Sequence, residues 1–273
     1  MWCAYCLIFD HNNSEDDEPD YGNLCIYIDA VNISKFFSFA PHGHYLSLLH
    51  CNCRSLPNSY GDIMNLLLPV IHLPTTIAVT ETWLTTANYD LFQMPNYTFF
   101  SQHRPTKGGG VGIYLTNSVS AFVRIDLSLL QPFIECVFVE VSLPDSLNIL
   151  LGCVYRPPNT DITQFNAAIT NTLNIISKKS YKTVAIAGDF NIDLLKNESH
   201  SPTNNFIDTF LSHSFLPAIS IPTRITAHSQ TLIDNIFVQS REKATKAAVI
   251  RCEISDHLPV AVLIKTKLPK APK

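Results

Sequence analysis

The chain has 273 residues, of which 46% are hydrophobic and 15% are charged; this composition excludes an intrinsically disordered chain and favours one globular domain with a sizeable core. No apolar run reaches the roughly 18 residues that a membrane-spanning helix needs. The formal net charge is −4, but six acidic residues lie within the first 20 positions and the remainder is nearly neutral, which excludes a strong non-specific affinity for nucleic acid and allows local basic patches.

Residues 1–43 are interpreted as a flexible, acidic segment because they mix short apolar pieces with the run SEDDEPD. The segment contains a C-x-x-C pair, Cys3 and Cys6, but no second pair follows at the spacing of a zinc site, and Cys51 and Cys53 are too close together to supply one. The opening residues MWCAYCLIF lack the basic start of a secretory signal. We therefore expect reduced, buried cysteines and an intracellular location, nuclear or cytoplasmic, with no membrane partner.

From residue 44 onward, apolar runs alternate regularly with turn residues, so we assign 44–267 to one domain and 268–273 to a basic tail. Strands are predicted over residues 45–52, 76–82, 111–116, 134–143, 148–155, 183–190, 231–238, 247–254 and 259–266. Helices are predicted over residues 60–72, 161–178 and 204–215. Many strands and few helices indicate an α/β domain whose core is formed by packed sheets.

The glycine run in KGGGVGIYL, residues 107–115, is a candidate for a phosphate-binding loop. It has neither the G-x-x-x-x-G-K-[ST] order of the P-loop nor the third glycine of the G-x-G-x-x-G motif. We therefore interpret the run as a turn that leads into a strand.

The segment IAGDFNID, residues 186–193, ends a predicted buried strand and at once presents two carboxylates and an amide. Its D-x-N-x-D spacing copies the start of a calcium-binding EF-hand loop, but Leu194 stands where that loop needs glycine and His200 where it needs glutamate. Turn chemistry is the other alternative, since Gly, Asp and Asn are common where strands end. For Asp193 we expect such a turn or helix-start role.

Polar residues recur at the ends of other predicted strands, which favours one shared site. They are Asn52, Glu81, Tyr155, Asp189 with Asn191, Asp234, and Asp256 with His257. Two carboxylates about 4 Å apart repel by roughly 4 kcal/mol at an effective dielectric near 20, so four of them need a cation or neighbouring donors. Oxygen ligands with a single histidine favour Mg²⁺ or Mn²⁺ over zinc. A hard metal with a spare carboxylate, an amide and an imidazole suits hydrolysis of a phosphate ester.

In chain order, the motifs CNCRS, TETWL, GGGVGIYL, VYRPP, GDFNID, PTR, TLIDNIF and SDHLPV resemble those of the endonuclease/exonuclease/phosphatase superfamily. More narrowly, the chain is similar over about residues 45–267 to the apurinic/apyrimidinic-type endonuclease domain of non-LTR (LINE-type) retrotransposon polyproteins. The resemblance implies a DNase I-like fold, a four-layer α/β sandwich of two packed mixed β-sheets flanked by helices. It does not extend to the residues before 45.

The resemblance also implies which residues bind the metal and activate water. Glu81 would be the principal ligand of Mg²⁺ (or Mn²⁺), assisted by Asn52 and Asp256. Asp189 would activate the attacking water, and Asn191 would hold the phosphate or that water.

The remaining roles implied by the resemblance concern the phosphate and the transition state. Tyr155 would contact the phosphate, and His257 would stabilise the transition state. Asp234 would orient the His257 ring by accepting its other N–H. Thr223, in the PTR motif, and Arg54 would bind the substrate.

The activity that the resemblance implies is Mg²⁺-dependent hydrolysis of a DNA phosphodiester bond, which nicks one strand and leaves a 3′-hydroxyl. In the parent elements this end primes reverse transcription by a reverse transcriptase on the same polyprotein. We expect a monomer that acts on DNA. Two alternatives stay open: a phosphatase or phospholipid diesterase of the same superfamily, and a catalytically silent retrotransposon remnant that only binds nucleic acid.

Overall fold

The structure is a computed structural model that describes residues 25–39, 44–105, 107–144, 146–240, 244–266 and 268. The predicted acidic segment before residue 25, with its two cysteines, and the predicted basic tail after Leu268 lie outside the described residues. Within the described part, Cys25–Asp29 forms a strand and Ile33–Ser38 a helix, and both pack into the domain. The domain therefore begins before the predicted boundary at residue 44.

Seven strands of the described residues form the first sheet. They are β1 (Cys25–Asp29), β2 (Tyr45–Asn52), β3 (Thr76–Thr80), β4 (Tyr97–Gln102), β5 (Val111–Thr116), β15 (Ala244–Arg251) and β16 (Val260–Lys265). Their spatial order is β1-β15-β16-β2-β3-β5-β4. The sheet is mixed, because β2 and β3 run parallel while their outer neighbours β16 and β5 run antiparallel to them. The C-terminal ends of β2 and β3 therefore lie side by side at one edge of the sheet.

The second sheet is also mixed. Its strands are β6 (Ser120–Val123), β7 (Leu129–Gln131), β8 (Ile134–Ser142), β9 (Ile149–Tyr155), β10 (Thr183–Asp189), β11 (Leu216–Pro217) and β14 (Asp234–Ser240). The order is β11-β14-β10-β9-β8-β6, and β7 also pairs with β8. The central strands β9 and β10 are parallel and buried along their whole length, which explains their nearly continuous apolar sequences. A separate hairpin consists of β12 (Arg224–Ile225) and β13 (Gln230–Thr231).

Helices cover the outer faces of the two sheets. They are α1 (Ile33–Ser38), α2 (Leu56–Leu67), α3 (Ile162–Ile176) and α4 (Ser201–Ser212); none of these described helices is long and apolar enough to cross a membrane. Leu49 and Cys51 of β2 pack in the cluster that contains α1 and α2. Leu46 and Leu48 pack in the cluster that joins the two sheets. This alternation places Asn52, at the end of β2, on the face turned towards the second sheet.

Each predicted strand and helix is present, but several ends are shifted. α2 begins at Leu56 and not at residue 60, because Pro57 fits the first helical turn. β14 begins three residues later than predicted, since the carbonyls of Leu232 and Ile233 accept hydrogen bonds from the loop after β10 and are not available for strand pairing. The prediction misses β1, β4 and β6, which are edge strands with mixed apolar and polar residues. It also misses β7, β11, β12 and β13, which are only two or three residues long.

The six cysteines of the described residues are free thiols, five of them buried and Cys252 half-buried. This confirms the prediction of reduced, buried cysteines for this part of the chain. Cys51 and Cys53 stand on either side of Asn52, and burial raises the pKa of both thiols. Cys153, on β9, is buried in the core between the sheets, where burial likewise raises its pKa.

Gly188, the residue before Asp189, has no room for a side chain. A Cβ atom at this position would lie 1.9 Å from the carbonyl oxygen of Val154 on β9. Glycine therefore allows β10 to pair with β9 in a register that sets Gly188 beside Val154 and Asp189 beside Tyr155.

Gly188→Ala should destabilise the protein, because β9 and β10 must move apart to admit the methyl group. We expect a loss of about 3 kcal/mol in the free energy of unfolding, seen as a melting temperature lower by roughly 10 °C. Gly61→Ala is the matched control: Gly61 lies in α2 with no atom within 4 Å of its added Cβ, so alanine should stabilise the helix by about 0.5–1 kcal/mol. Equal melting temperatures for the two variants would contradict this account.

Candidate active site

Strand register brings four polar residues into one row across the second sheet. Asp189 is the last residue of β10, and it stands opposite Asp234 on β14 and beside Tyr155 on β9. Tyr155 in turn stands opposite Glu135 on β8. The three carboxylates of this row are at most 1% exposed.

Asn52 connects this row to the first sheet. Its amide nitrogen donates to Asp189 Oδ2 at 2.7 Å and to Glu81 Oε1 at 3.1 Å. Glu81 directly follows β3, and its other carboxylate oxygen accepts a hydrogen bond from the Trp83 indole at 3.4 Å. The structure thus brings together Asn52, Glu81 and Asp189, as the sequence predicts.

Asp189 is held by donors on both oxygens. The backbone N–H of Asn191 donates to Oδ1 at 3.0 Å, and the Asn191 amide donates to Oδ2 at 3.1 Å. Arg156, of the VYRPP motif, fixes this loop by donating to the Asn191 carbonyl at 2.9 Å. Burial, reinforced by the neighbouring Asp234 carboxylate, raises the pKa of Asp189 to about 8. The carboxyl is therefore rigid, and its proton affinity is close to that of a base working near neutral pH.

His257 and Asp234 form a buried ion pair. His257 Nδ1 donates to Asp234 Oδ2 at 2.9 Å and lies 4.0 Å from Asp189 Oδ2. Burial alone lowers the pKa of His257, but the charge and hydrogen bond of Asp234 outweigh it and raise that pKa to about 9. Among the described residues none bonds to His257 Nε2, so this ring nitrogen can face a substrate. Asp234 thus orients the ring, as the resemblance implies.

Thr223 does not have the position expected of a substrate contact. Its side chain is fully buried, and its hydroxyl donates to Asp234 Oδ2 at 2.8 Å. The Thr223 hydroxyl oxygen in turn accepts a hydrogen bond from the Asp234 backbone N–H at 3.1 Å. The structure corrects the sequence prediction: Thr223 fixes the carboxylate behind His257 and does not reach the surface. Sequence alone gives no sign of this, because the contact joins the loop before β12 to the start of β14.

Asp256 is bound by two arginines. Arg54 Nη1 donates to its Oδ1 at 3.2 Å, and Arg224 donates to its Oδ2 from Nε at 2.9 Å and from Nη2 at 2.6 Å. Burial alone would raise the pKa of Asp256, but the hydrogen bond from Arg224 and the charges of His257, Arg224 and Arg54 together outweigh it and lower that pKa. Arg224 is absent from the predicted site, although it directly follows Thr223 in the PTR motif.

Glu135 is a second residue that the sequence prediction missed. It is fully buried, and it accepts hydrogen bonds from Arg104 and, at 2.5 Å, from the backbone N–H of Gly110. A glutamate inside the apolar run IECVFVEV was the available signal. The glycine run thus packs against Glu135 and leads into β5, which confirms its interpretation as a turn; a Cβ atom on Gly110 would lie 2.3 Å from the Thr82 hydroxyl.

Asp193, Tyr155 and His50 complete the surroundings of the site. Asp193 accepts a hydrogen bond from the Leu195 backbone N–H and starts a short 3-10 helix, which confirms its turn role. The Tyr155 side chain is 4% exposed, and burial raises the pKa of its hydroxyl. His50 is fully buried with Nδ1 3.9 Å from Asp234 Oδ1, and burial lowers its pKa to about 4.

The backbone around the site is strained. Eight non-glycine residues of the described chain have a positive φ, a conformation that costs of order 1 kcal/mol for such residues. Five of the eight follow strands that end at the site: Arg54, Ser55, Glu81, Trp83 and Asn191. Strain concentrated in one group of loops is typical of a functional site.

The donor set fits a hard divalent cation. The carboxylate oxygens of Glu81 and Asp189 lie on either side of the Asn52 amide group, and oxygen ligands of this kind suit Mg²⁺ or Mn²⁺. Deeper in the site, one ligand atom each of Asp189, Asp234 and His257 lie within 4.8 Å of one another. In that deeper group the His257 nitrogen already donates to Asp234, so the set of Glu81, Asn52 and Asp189 suits a cation better.

Comparisons with known proteins agree with this architecture. A family model described as "Endonuclease/Exonuclease/phosphatase family" matches residues 49–257. The endonuclease domain of TRAS1, a telomere-specific non-LTR retrotransposon, is 14% identical with a TM-score of 0.63, over 81% of this chain and 98% of that one. An AP endonuclease from Leishmania major is 13% identical with a TM-score of 0.66, over 93% and 97%. A mannosyl-6-phosphatase from Bacteroides thetaiotaomicron is 15% identical with a TM-score of 0.56, over 81% and 100%.

No curated protein matches the sequence at a significant level. At the identities of these solved structures, the likeness shows the fold alone. It confirms the predicted DNase I-like arrangement of two packed mixed sheets flanked by helices, and the family match confirms the resemblance seen in the motifs.

The metal-free protein should lose stability as the pH rises from about 6.5 to about 9. The pKa of His257 is raised from 6.5 to about 9 in the folded state, so protonated His257 stabilises the fold below pH 6.5, and this contribution disappears as the pH passes 9. The raised pKa of Asp189 acts in the same direction. Thermal unfolding in EDTA across this pH range would measure the decrease.

Asp234→Asn should flatten this pH profile, because the Asp234 charge is the main reason that the pKa of His257 is raised. His228→Gln is the control: His228 is exposed between β12 and β13, and its loss should leave the profile unchanged. The same pH dependence in Asp234→Asn and wild type would rule out this explanation.

Proposed function

Because this chain belongs to the endonuclease/exonuclease/phosphatase family, we propose that it is a Mg²⁺-dependent endonuclease (Mn²⁺ can replace Mg²⁺) that hydrolyses a DNA phosphodiester bond. The observation that carries the proposal is the hydrogen-bonded set in which Asn52 joins Glu81 to Asp189, with the His257–Asp234 pair beside it. This set would supply a metal site, a base and a cationic donor around one point.

Glu81 and Asn52 would hold the divalent cation at the junction of the two sheets. When bound, the cation neutralises phosphate charge and stabilises the leaving oxygen. Asn52 binds both Glu81 and Asp189, so it also fixes the distance between the metal site and the base.

Asp189 accepts the proton of the attacking water. The water oxygen forms a bond to phosphorus, the bond between phosphorus and the 3′ oxygen breaks, and that oxygen takes up a proton to leave a 3′-hydroxyl. Asn191 is hydrogen-bonded to Asp189 and lies where it can hold the water or a phosphate oxygen. A base with a pKa near the working pH is both deprotonated in a useful fraction and basic enough to act.

His257 supplies positive charge to the transition state. Its pKa of about 9 keeps the ring protonated at neutral pH, and Asp234 holds Nδ1, so Nε2–H can donate to a non-bridging phosphate oxygen. The Tyr155 hydroxyl, which accepts and donates no hydrogen bond among the described residues, would contact the same phosphate.

The likeness to the TRAS1 endonuclease domain supports DNA as the substrate and retrotransposon target-site cleavage as the setting. A reverse transcriptase on the same polyprotein and a monomeric state remain predictions of the sequence resemblance.

The purified chain should convert supercoiled plasmid to open circles with Mg²⁺ but not with EDTA. Asp189→Asn and His257→Gln should each lower the nicking rate by at least about 100-fold, since each removes a group that acts in the transition state. Lys178→Gln, an exposed residue just after α3, should cut at the wild-type rate. Full activity in either active-site variant would refute its assigned role.

Substrate choice separates this proposal from the phosphatase and phospholipid diesterase alternatives. The wild-type protein should nick plasmid DNA and release little or no phosphate from mannose 6-phosphate or from a phosphoinositide, measured with the same enzyme and metal concentrations. Faster hydrolysis of either small substrate, lost in Asp189→Asn, would assign the site to that alternative. Specific DNA binding without any hydrolysis by folded protein would indicate a silent remnant.

A further inference from the structure

Two arginines and a carboxylate lie at the mouth of the site: Arg54, Arg224 and Asp256. Arg54 and Arg224 are called the arginine pair. Each oxygen of Asp256 is occupied: Arg54 binds Oδ1 at 3.2 Å, and Arg224 binds Oδ2 at 2.6 and 2.9 Å. The side chains are partly open to solvent, with exposed fractions of 62% for Arg54, 42% for Arg224 and 31% for Asp256. Two cations thus share one anion on an accessible surface.

Asp256 is poorly placed to bind the metal that the resemblance assigns to it. A cation at Asp256 would compete with charge-assisted hydrogen bonds to both oxygens and would be repelled by the two neighbouring guanidinium charges. Glu81 and Asn52, by contrast, contact each other directly.

Each arginine of the pair, and Asp256 between them, lies within two residues of an active-site residue in the sequence. Arg54 lies two residues after Asn52 and donates its backbone N–H to the Asn52 side chain at 3.1 Å. Arg224 directly follows Thr223, whose hydroxyl holds Asp234. Asp256 directly precedes His257. The guanidinium groups therefore keep a fixed relation to the residues that act on the phosphate.

Both guanidinium groups keep donors for a ligand. A guanidinium carries five N–H groups in a planar fork that matches phosphate oxygens. The contacts with Asp256 use one donor of Arg54 and two of Arg224, and no other described residue bonds to either guanidinium group. The pair carries a net positive charge even after Asp256 is counted.

We propose that Asp256 is a positioning residue that orients Arg54 and Arg224 as a two-arginine clamp for a phosphate of the DNA backbone, and that it is not a metal ligand. The proposal rests on the proposed nuclease function and assigns Arg224 a substrate contact. Arg54 keeps the substrate-binding role expected from the sequence.

Metal binding without DNA tests the first half of the proposal. Calorimetric titration with Mn²⁺ should give Asp256→Asn an affinity within about threefold of wild type, whereas Glu81→Gln should bind at least about tenfold more weakly. Mn²⁺ binding as weak in Asp256→Asn as in Glu81→Gln would overturn the proposal. This readout does not depend on catalysis.

DNA binding in EDTA tests the second half, by fluorescence anisotropy of a labelled duplex at several salt concentrations. Arg224→Gln should weaken binding and reduce the slope of log K against log salt by about 1, as expected when one phosphate contact is lost. Arg224→Lys should keep the charge but not the bidentate fork, so binding should stay weaker than wild type. Lys178→Gln, which removes the same charge from an exposed position after α3, should leave the slope unchanged.

DNA binding by Asp256→Asn distinguishes a positioning role of Asp256 from a purely electrostatic one. If Asp256 acted only through its charge, removing that charge would strengthen DNA binding; if it positions the clamp, binding becomes weaker. Tighter DNA binding by Asp256→Asn, or wild-type binding by Arg224→Lys, would overturn the proposal. A wild-type protein that binds DNA through the clamp but never nicks plasmid would refute the proposed function and leave the clamp in place.

Discussion

Repulsion between two buried carboxylates is the constraint on which this site depends. Asp189 and Asp234 stand opposite each other on neighbouring strands, and neither is accessible to solvent. At an effective dielectric near 20, two such charges about 4 Å apart repel by roughly 4 kcal/mol. The fold offsets this with a cationic ring, His257, between them and with amide donors from Asn52 and Asn191. Much of the remaining architecture serves to deliver these donors.

The donors come from both sheets, so the site exists only when the sheets are packed together. Asn52 ends a strand of the first sheet and contacts Asp189 of the second. Leu46 and Leu48, on the same face of β2 as Asn52, join the core that holds the sheets together. The apolar contacts between the sheets therefore determine the separation of the catalytic groups. Gly188 contributes to the same geometry by letting two central strands approach.

The fold and most site residues could be predicted because strand ends are visible in the apolar pattern, and polar residues at several strand ends indicate a shared edge. Side-chain partners across the fold could not. Thr223 is hidden behind Asp234, and Asp256 is held by arginines from two distant segments, contacts that depend on loops whose paths no periodicity encodes. Glu135 shows the same limit, since an acid within an apolar strand gives no sign of its partner.

The burial of three cysteine thiols determines when the protein can be oxidised or alkylated. Cys51, Cys53 and Cys153 lie within the packed core, and burial raises the pKa of each, so little thiolate is present in the native state. Oxidants and alkylating reagents can reach the Cys153 sulfur only when the sheets separate, and those of Cys51 and Cys53 only when the helices move away from the first sheet. Because Cys51 and Cys53 flank Asn52, such a modification would hinder the helices from packing again on the segment that holds Asn52 in the active site. Intact molecules are thus protected by their own packing, and damage is confined to molecules that have already opened.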